Sequence, residues 1–253
     1  MSSIINYGSI INYEWGSILS PLSHLFSMKF KAIVVDIDGT ITCENRELHL
    51  GAVKKIRSLK VPVVLATGNI ICYARTASKL IGLEGAVVAE NGGAVTVRYD
   101  LNGTFEESLE ECEKAFSFLS EHFQLTKLDP FYRKTEIALR RDFDLEKARA
   151  LLKTQLLDVE MVDTKYAVHI KSTRINKGSG LRKLAEMMGL EAKDFVAIGD
   201  SENDVEMFKA AGFGIAVANG DTKIKEAADY VTEASFGKGA VEAFEYLESK
   251  GLI

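Results

Sequence analysis

The chain is poor in cysteine, and its few cysteines form no recognisable pattern. Cys43, Cys72 and Cys112 are the only three among 253 residues, and no two of them form a CxxC pair. An odd number of widely spaced cysteines indicates neither a disulfide framework nor a zinc site. The cysteine content therefore fits a protein of the reducing cytoplasm.

Basic residues are not in excess, and long apolar runs are missing. Lys and Arg number 31 against 36 Asp and Glu, for a formal net charge of -5, so we expect no nucleic-acid partner. No apolar stretch approaches the roughly 20 residues that span a bilayer, and the first residues lack the basic start of a secretory signal. We expect a soluble, cytoplasmic protein without a membrane partner, and the sequence leaves both a monomer and a homodimer open.

The chain begins with a short segment of biased composition. The motif SIINY occurs at residues 3–7 and again at 9–13, before an ordinary apolar run starts after Met28. We interpret residues 1–27 as a disordered or dispensable extension. From Met28 onward, a composition with 47% hydrophobic and 26% charged residues is sufficient for a globular core.

Short apolar runs alternate with helical patterns over most of the chain. Such runs, bounded by turn signals, occupy residues 32–35, 61–66, 85–89, 195–198 and 213–217. Strands that are buried on both faces of a parallel sheet have this continuous apolar character. The sequence therefore predicts an α/β fold with a Rossmann-like parallel sheet, covered by helices on both faces.

The middle of the chain has a different pattern. Residues 95–99 before Asn102-Gly103 suggest a hairpin, helical patterns begin near Leu109 and Asp144, and apolar residues alternate at 137–139 and 166–170. Alternation is typical of a sheet with one face in water. We predict a small α+β module at residues 106–173, inserted between two core segments at 28–105 and 174–253.

Two carboxylates follow the first predicted strand. Asp36 and Asp38 stand in Asp36-Ile37-Asp38-Gly39-Thr40, at the carboxyl edge where open α/β sheets bind ligands. The turn at Gly39 can bring both side chains to one pocket. Alone, such a pair also fits an ordinary turn or a helix cap.

Three further segments place polar groups at strand or helix ends. Thr67-Gly68-Asn69 follows the second strand and offers a hydroxyl and backbone N–H groups to an anion, although it also fits a plain N-cap. Lys177 opens a helix, where a cation opposes the helix dipole unless an anion is near, although most lysines are simply solvated. Asp200 and Asp204 follow the fourth strand, and such oxygen ligands suit Mg²⁺, although acidic residues are also common at helix starts.

Together these segments resemble the haloacid dehalogenase superfamily. The four motifs of that family are matched in order by DIDGT at 36–40, TGN at 67–69, NKG at 176–178 and GDSEND at 199–204. The position of the inserted module resembles the type-2 cap of the Cof-like, sugar-phosphatase branch. Within that branch, ATGN at 66–69, AENGG at 89–93 and the short cap are similar to archaeal-type phosphoglycolate phosphatases.

The resemblance implies a Mg²⁺-dependent phosphatase with a covalent intermediate. Asp36 would attack phosphorus, and Asp38 would give and later take a proton as general acid and base. Mg²⁺ would be held by Asp36, the backbone carbonyl of Asp38 and Asp200, with Asp204 alongside. The phosphoryl oxygens would be bound by Thr67, Gly68, Asn69 and Lys177. The implied substrate is a small phosphate ester, with 2-phosphoglycolate first.

Other interpretations remain open. A sugar-phosphate phosphatase of the same branch would share every core motif, because only the cap contacts the rest of the substrate. A phosphomannomutase-like phosphotransferase would use the same nucleophile, ordinarily with a larger cap. A signalling receiver domain also has a phospho-accepting Asp, but it has no use for Asp38 as acid and base or for a cap insert.

Among the remaining candidates, three cap arginines are the most relevant. Arg133, Arg140 or Arg141 could bind a substrate carboxylate, although most surface arginines are solvated. His49, His122 and His169 are scattered and lack a nucleophilic Ser or Cys in a triad context. We expect each of these histidines to be structural or exposed.

Overall fold

The computed structural model describes residues 29–164 and 166–253, and the interpretation of residues 1–27 lies outside this range. The strands are β1 (Ala32–Asp36), β2 (Val63–Ala66), β3 (Val87–Ala89), β4 (Ala94–Thr96), β5 (Thr104–Phe105), β6 (Lys127–Leu128), β7 (Ile137–Leu139), β8 (Val159–Asp163), β9 (Val168–Ser172), β10 (Phe195–Gly199), β11 (Phe213–Ala216) and β12 (Tyr230–Val231). The α-helices are α1 (Leu50–Ile56), α2 (Ile71–Ile81), α3 (Leu109–Ser120), α4 (Leu145–Leu152), α5 (Lys177–Met187), α6 (Val205–Ala210), α7 (Thr222–Ala227) and α8 (Phe236–Ser249).

The larger sheet has the strand order β12-β11-β10-β1-β2-β3-β4-β5. From β12 to β3 the neighbours pair in parallel, and β4 and β5 continue the sheet antiparallel. The predicted hairpin is present as β4 and β5, with residues 97–103 between them. Because β1 and β10 are central, the residues that follow them meet near the middle of the carboxyl edge.

Helices cover both faces of this sheet, as predicted for an α/β fold. On one face, Ile33 and Leu65 pack in a cluster with Phe244 of α8, while α1 and α2 contribute Ile56 and Ile81. On the other face, alternate strand residues such as Val34 and Val64 pack with residues of α5 and α6. The inner strands β1, β2 and β10 therefore bury both rows of their side chains, which explains their continuous apolar runs in the sequence.

The smaller sheet is antiparallel, with the order β6-β7-β9-β8. One face packs on α3 and α4, where Cys112, Leu119 and Ala148 contact Leu139 and Ile170 in a separate apolar cluster. All of these elements fall within the predicted module at residues 106–173. The division into core segments 28–105 and 174–253 and a cap at 106–173 stays a prediction.

The prediction of one wet face on the smaller sheet is wrong for β7 and β9. Every residue of these two strands is buried, including the polar His169 and Lys171. The face opposite α3 and α4 lies against the larger domain, so His169 Nδ1 lies 3.2 Å from Asn91 Nδ2 and Lys171 Nζ donates to the Ile175 carbonyl at 2.6 Å. Protein groups replace water on this face, and these polar residues are therefore buried but hydrogen-bonded.

The start of α5 is fixed by a reciprocal cap. The Asn176 side chain accepts from the Ser179 backbone N–H, and the Ser179 hydroxyl oxygen accepts from the Asn176 backbone N–H. Such a capping box defines the first turn of a helix, and here it sets the position of Lys177 as the first helical residue. Within the described ranges, no helix has the length and apolarity that crossing a bilayer requires.

Candidate active site

Asp36 is the last residue of β1 and lies at the carboxyl edge of the larger sheet. It is 4% exposed, and the chain turns sharply after it through residues 37–41. Gly39 has φ +94°, and a Cβ at this position would lie 2.5 Å from Asp200 Oδ2. Glycine is therefore required both by the backbone conformation and by the close approach of a second carboxylate.

Lys177 is buried against two carboxylates. Its Nζ lies 2.6 Å from Asp36 Oδ1 and 2.6 Å from Asp204 Oδ1, and its side chain is 1% exposed. Burial alone would lower the pKa of the Lys177 ammonium, but Asp204 and Asp36 outweigh that effect and raise it above the usual value. The alternative of a solvated lysine is therefore wrong. The two carboxylates are the nearby anions that offset the unfavourable interaction of Lys177 with the helix dipole.

Asp200 and Asp204 complete a cluster of acidic groups. One carboxylate oxygen each from Asp36, Asp200 and Asp204 lies within 4.8 Å of the others, and all three residues are buried. Asp204 Oδ2 accepts from the backbone N–H groups of Asp200 and Ser201 at 3.2 and 3.1 Å. Asp200 Oδ1 accepts from the Thr40 hydroxyl at 3.2 Å. The backbone and Thr40 thus hold the carboxylates in place.

The electrostatics of this cluster favour a bound cation. Burial raises the pKa of the Asp36 carboxyl well above its ordinary value, Lys177 opposes the shift, and the charges of Asp204 and Asp200 add to it. One ammonium thus faces three buried carboxylates. Closely spaced carboxylate oxygens are the ligands that Mg²⁺ prefers, so the residues present fit this ion.

Asp38 lies beside this cluster but is held by other partners. Its Oδ1 accepts from Arg46 Nε at 3.0 Å and from the Tyr73 hydroxyl at 3.5 Å. Burial, together with the charge of Asp38, raises the pKa of Tyr73 to about 12, so this phenol remains a donor at neutral pH. Arg46 also stacks on the Tyr166 ring at 4.5 Å, which links Asp38 to the smaller sheet's domain.

The Thr67-Gly68-Asn69 turn connects β2 to α2 at the same edge. Thr67 Oγ1 accepts from the Asn69 backbone N–H at 3.0 Å, and Asn69 Oδ1 accepts from the Ile70 N–H at 3.0 Å. Because the Thr67 oxygen accepts within the turn, its own O–H proton is available to a ligand. The N-cap residue of α2 is Ile70, so the alternative in which Thr67 or Asn69 is a plain N-cap is wrong.

A cleft of about 180 Å³ lies between the two sheets. Its lining from the larger domain includes Asp36, Asp38, Arg46, Thr67, Gly68, Asn69 and Asp200, and its lining from the smaller one includes Asp129, Arg133, Tyr166 and His169. Lys177 and Asp204 lie outside this lining, and Lys177 bonds to both Asp36 and Asp204. The structure therefore brings all the residues predicted for the site to one place.

A buried polar network beside the cleft was not predicted. Glu136 Oε2 accepts from Asn91 Nδ2 at 2.9 Å, and Glu136 Oε1 bonds to His169 Nδ1 at 2.8 Å and to the Arg133 guanidinium. Asn91 Oδ1 accepts from Asn203 Nδ2 at 3.1 Å. A buried carboxylate needs such partners, but they come from distant parts of the chain and leave no local pattern.

Two of the three cap arginines lie away from the cleft. The nearest carboxylates to Arg140 and Arg141 are Asp142, at 3.8 Å, and Asp163, at 2.8 Å, and both arginine side chains are about half exposed. Arg133 is instead buried and lines the cleft. Among the three, Arg133 alone lies where a substrate could contact it.

Comparison with known proteins identifies the family. The model for haloacid dehalogenase-like hydrolases matches residues 33–137 and 107–244. The chain belongs to the haloacid dehalogenase-like hydrolase family. The resemblance predicted from the four motifs is thus confirmed, and the protein is an enzyme of this hydrolase family.

Similar proteins include several from archaea. Phosphoglycolate phosphatase from Methanosarcina acetivorans is 89% identical over 226 residues, which are 89% of this chain and 100% of that relative. Phosphoglycolate phosphatase from Methanosarcina mazei is 80% identical with the same coverage. A crystal structure from Thermoplasma acidophilum has a TM-score of 0.78 at 26% identity, covering 87% of this chain and 98% of that chain. The expected haloacid dehalogenase fold, with a parallel sheet core and an added α+β module, is confirmed.

Proposed function

We propose that the protein is a Mg²⁺-dependent phosphatase that converts 2-phosphoglycolate to glycolate and phosphate through a phospho-aspartate on Asp36. The observation that carries the proposal is the buried cluster of Asp36, Asp200 and Asp204 around Lys177, at the inner end of a cleft. A nucleophilic carboxylate, an ammonium and a set of metal ligands meet at this point, as in-line phosphoryl transfer requires.

In the first half of the reaction, an Asp36 carboxylate oxygen forms a bond to phosphorus while the bond between phosphorus and the ester oxygen breaks. Asp38 gives its proton to the leaving alkoxide, which departs as glycolate. In the second half, water attacks the phospho-aspartate and Asp38 takes its proton, which regenerates Asp36 and releases phosphate.

The surrounding residues bind the phosphoryl group and orient the nucleophile. Lys177 bonds to one oxygen of Asp36, which fixes the carboxylate and offsets part of the charge that gathers around the phosphoryl group. Thr67, Gly68 and Asn69 line the cleft, and we assign the Thr67 hydroxyl and the backbone N–H groups of Gly68 and Asn69 to the phosphoryl oxygens. Mg²⁺, held by Asp36, the Asp38 carbonyl and Asp200 with Asp204 alongside, would supply charge neutralisation between nucleophile and phosphate.

The choice of 2-phosphoglycolate rests on two observations. Relatives that are 80% and 89% identical over 226 residues carry the name phosphoglycolate phosphatase. The cleft, of about 180 Å³, also has room for an ester of this size next to the carboxylate cluster. A small-molecule substrate of this kind needs no macromolecular partner.

The decisive experiment measures phosphate release from a panel of small esters, including 2-phosphoglycolate, ribose 5-phosphate and glucose 6-phosphate. We expect turnover of 2-phosphoglycolate with Mg²⁺, none with EDTA, and a loss of at least about 10³-fold in Asp36→Asn, because the amide cannot act as the nucleophile. A matched control is Asp194→Asn, which changes a carboxylate that pairs with Lys31 at the surface. We expect this control to keep full activity.

Three results of this experiment would contradict or change the proposed function. A folded wild-type protein that releases no phosphate from any ester, with or without an acceptor sugar, would contradict the phosphatase proposal. Formation of a new sugar phosphate when an acceptor sugar is added would instead indicate the phosphotransferase alternative. Preference for a sugar phosphate over 2-phosphoglycolate would retain the chemistry and change the substrate.

A further inference from the structure

The side of the cleft opposite the carboxylate cluster carries a buried guanidinium and a buried imidazole. We propose that Arg133, with His169 beside it, binds the carboxylate of the substrate and thereby selects a phosphorylated acid over a neutral phosphate ester. The inference rests on the proposed function, because it concerns the non-reacting end of the same ester. It makes Arg133 a specificity-determining residue.

Arg133 lies close to the turn that we assign to the phosphoryl group. Its Nη1 donates to the Gly68 carbonyl at 3.0 Å, so the guanidinium is one hydrogen bond away from the Thr67-Gly68-Asn69 turn. If the phosphoryl group of a ligand binds in this turn, a second anionic group of the same ligand can contact Arg133 only when a short chain joins the two groups. Two carbon atoms between phosphate and carboxylate oxygens suit this separation.

Part of the guanidinium has no partner within the described residues. Arg133 is 6% exposed and its Nη1 bonds to Gly68 and Glu136, yet its Nε is buried without a hydrogen bond. A buried polar group without a partner is rare and calls for an explanation, such as a missing ligand. The edge of the guanidinium that contains Nε and Nη2 can bind a carboxylate through two parallel hydrogen bonds.

Glu136 holds both cap residues in position. It is 1% exposed, and burial would raise its pKa, but the charges of His169 and Arg133 and the bonds from His169 and Asn91 lower the pKa below its ordinary value. Glu136 is therefore ionised at neutral pH and fixes the Arg133 guanidinium. Because His169 bonds to it through Nδ1, the opposite ring nitrogen, Nε2, lies 3.4 Å from Thr164 Oγ1, and both residues line the cleft.

Asp129 also lines this part of the cleft, and it is the acidic side chain there that would repel a substrate carboxylate. It is exposed to solvent, whereas Arg133 is buried. Water screens an exposed charge far more than a buried one, so Asp129 opposes a substrate carboxylate only weakly. The buried Glu136 carboxylate bonds to Arg133 through Nη1 and leaves Nε without a partner. A neutral hydroxyl or sugar ring would leave the unpaired edge of this guanidinium unsatisfied, which is costly in a site built for a charged partner.

The alternative role for Arg133 is structural. Its bond to Gly68 joins the smaller domain to the larger one, so its loss could misplace the cap without any contact to substrate. A matched pair of esters separates the two roles. In 2-hydroxyethyl phosphate, a CH₂OH group replaces the carboxylate of 2-phosphoglycolate, while the phosphate and the chain length are the same.

The test measures kcat/KM for both esters in wild type, Arg133→Gln and Arg133→Lys. Dividing one value by the other cancels any loss that the two esters share. We expect the preference for 2-phosphoglycolate to fall roughly 10- to 100-fold in Arg133→Gln, as for the loss of a charged hydrogen-bonded partner. Arg133→Lys keeps the charge without the fork and should give an intermediate ratio. If Arg133→Gln does not fold, the ratio in Arg133→Lys decides.

Arg141→Gln is the control, because Arg141 is a cap arginine that pairs with Asp163 outside the cleft. We expect its ratio to equal that of the wild type. Equal losses for both esters in the Arg133 variants, or no loss for either, would overturn the inference while leaving the proposed function intact. A wild type that hydrolyses neither ester would instead contradict the proposed function itself.

Discussion

At the scale of single residues, the site depends on one buried cation and one glycine. Lys177 bonds to Asp36 and Asp204 at 2.6 Å each, which reduces the cost of burying these two carboxylates. Gly39 lets the chain turn after Asp36 while Asp200 Oδ2 comes within 2.5 Å of the position that a Cβ would occupy. Both residues act by allowing charges to lie closer together than they otherwise could.

Gly39→Ala therefore tests the packing of the carboxylates. The new methyl group would push against the Asp200 carboxylate, and we expect Mg²⁺ affinity, measured by titration calorimetry, to fall by roughly tenfold or more. Gly189→Ala is a matched control, since Gly189 also has a positive φ but nothing lies within 4 Å of the place its new methyl group would take. This control should lose about 1 kcal/mol of unfolding free energy and keep its Mg²⁺ affinity. Equal Mg²⁺ affinity in both variants would show that the contact with Asp200 is unimportant.

At the scale of elements, the cap strands β7 and β9 bury ionisable groups at a surface between two domains. Glu136, just before β7, receives a hydrogen bond from Asn91, which lies outside the cap, and it pairs with Arg133 within the cap. The same carboxylate bonds to His169 of β9. One buried carboxylate thus joins three segments that are far apart in the sequence.

Glu136→Gln should destabilise the protein by about 3 kcal/mol at pH 7, because it leaves Arg133 buried without its counter-charge. The Glu136 pKa is lowered from its ordinary value of 4.5, so its ionisation contributes stability above pH 4.5 that is lost as the pH falls through the lower, folded-state pKa. The difference between wild type and variant should therefore shrink below pH 4.5. Urea unfolding followed by circular dichroism at several pH values measures it.

Glu113→Gln is the control for this experiment, because Glu113 pairs with Lys127 on the cap surface and is about half exposed. Its loss should cost less than about 1 kcal/mol. A difference between wild type and Glu136→Gln that stays constant from pH 7 to pH 4 would mean that Glu136 is not held ionised by its neighbours.

These strands also mark the limit of what the sequence predicts. Strands such as β1 and β10 are recognisable in the sequence because both of their faces are apolar, and their motif residues follow directly in the chain. The alternation in β9 indicates two different faces, but it does not say whether water or another domain covers the polar one. His169 is buried and hydrogen-bonded, which fits the expected structural role, but the sequence did not predict that it also lines the cleft.

At the scale of the whole molecule, the two domains contribute different groups to the site. The larger domain supplies the residues assigned to phosphoryl transfer, and the smaller domain supplies Arg133 and His169 across the cleft. Arg46 connects the two, since it pairs with Asp38 and stacks on Tyr166. A substrate in the cleft would therefore contact both domains, which lets the cap select substrates without altering the chemistry.

The carboxylate cluster also makes the stability of the whole molecule depend on metal. Three buried carboxylates face one ammonium, so Asp200→Asn should raise the unfolding free energy in EDTA, by about 1 kcal/mol, because it removes one repelling charge. The same change removes a ligand. Mg²⁺ at about 100 times its Kd should stabilise the wild type by about 2.7 kcal/mol. We expect the variant to gain much less.

Thermal and urea unfolding in EDTA and in Mg²⁺ measure both effects on the same samples. Glu202→Gln is the control, since Glu202 is an acidic neighbour in the same segment that pairs with Lys223 at the surface. It should behave as the wild type in both conditions. An Asp200→Asn variant that gains as much from Mg²⁺ as the wild type would remove Asp200 from the metal site. A variant less stable than wild type in EDTA would mean that its hydrogen bond with Thr40 outweighs the repulsion among the carboxylates.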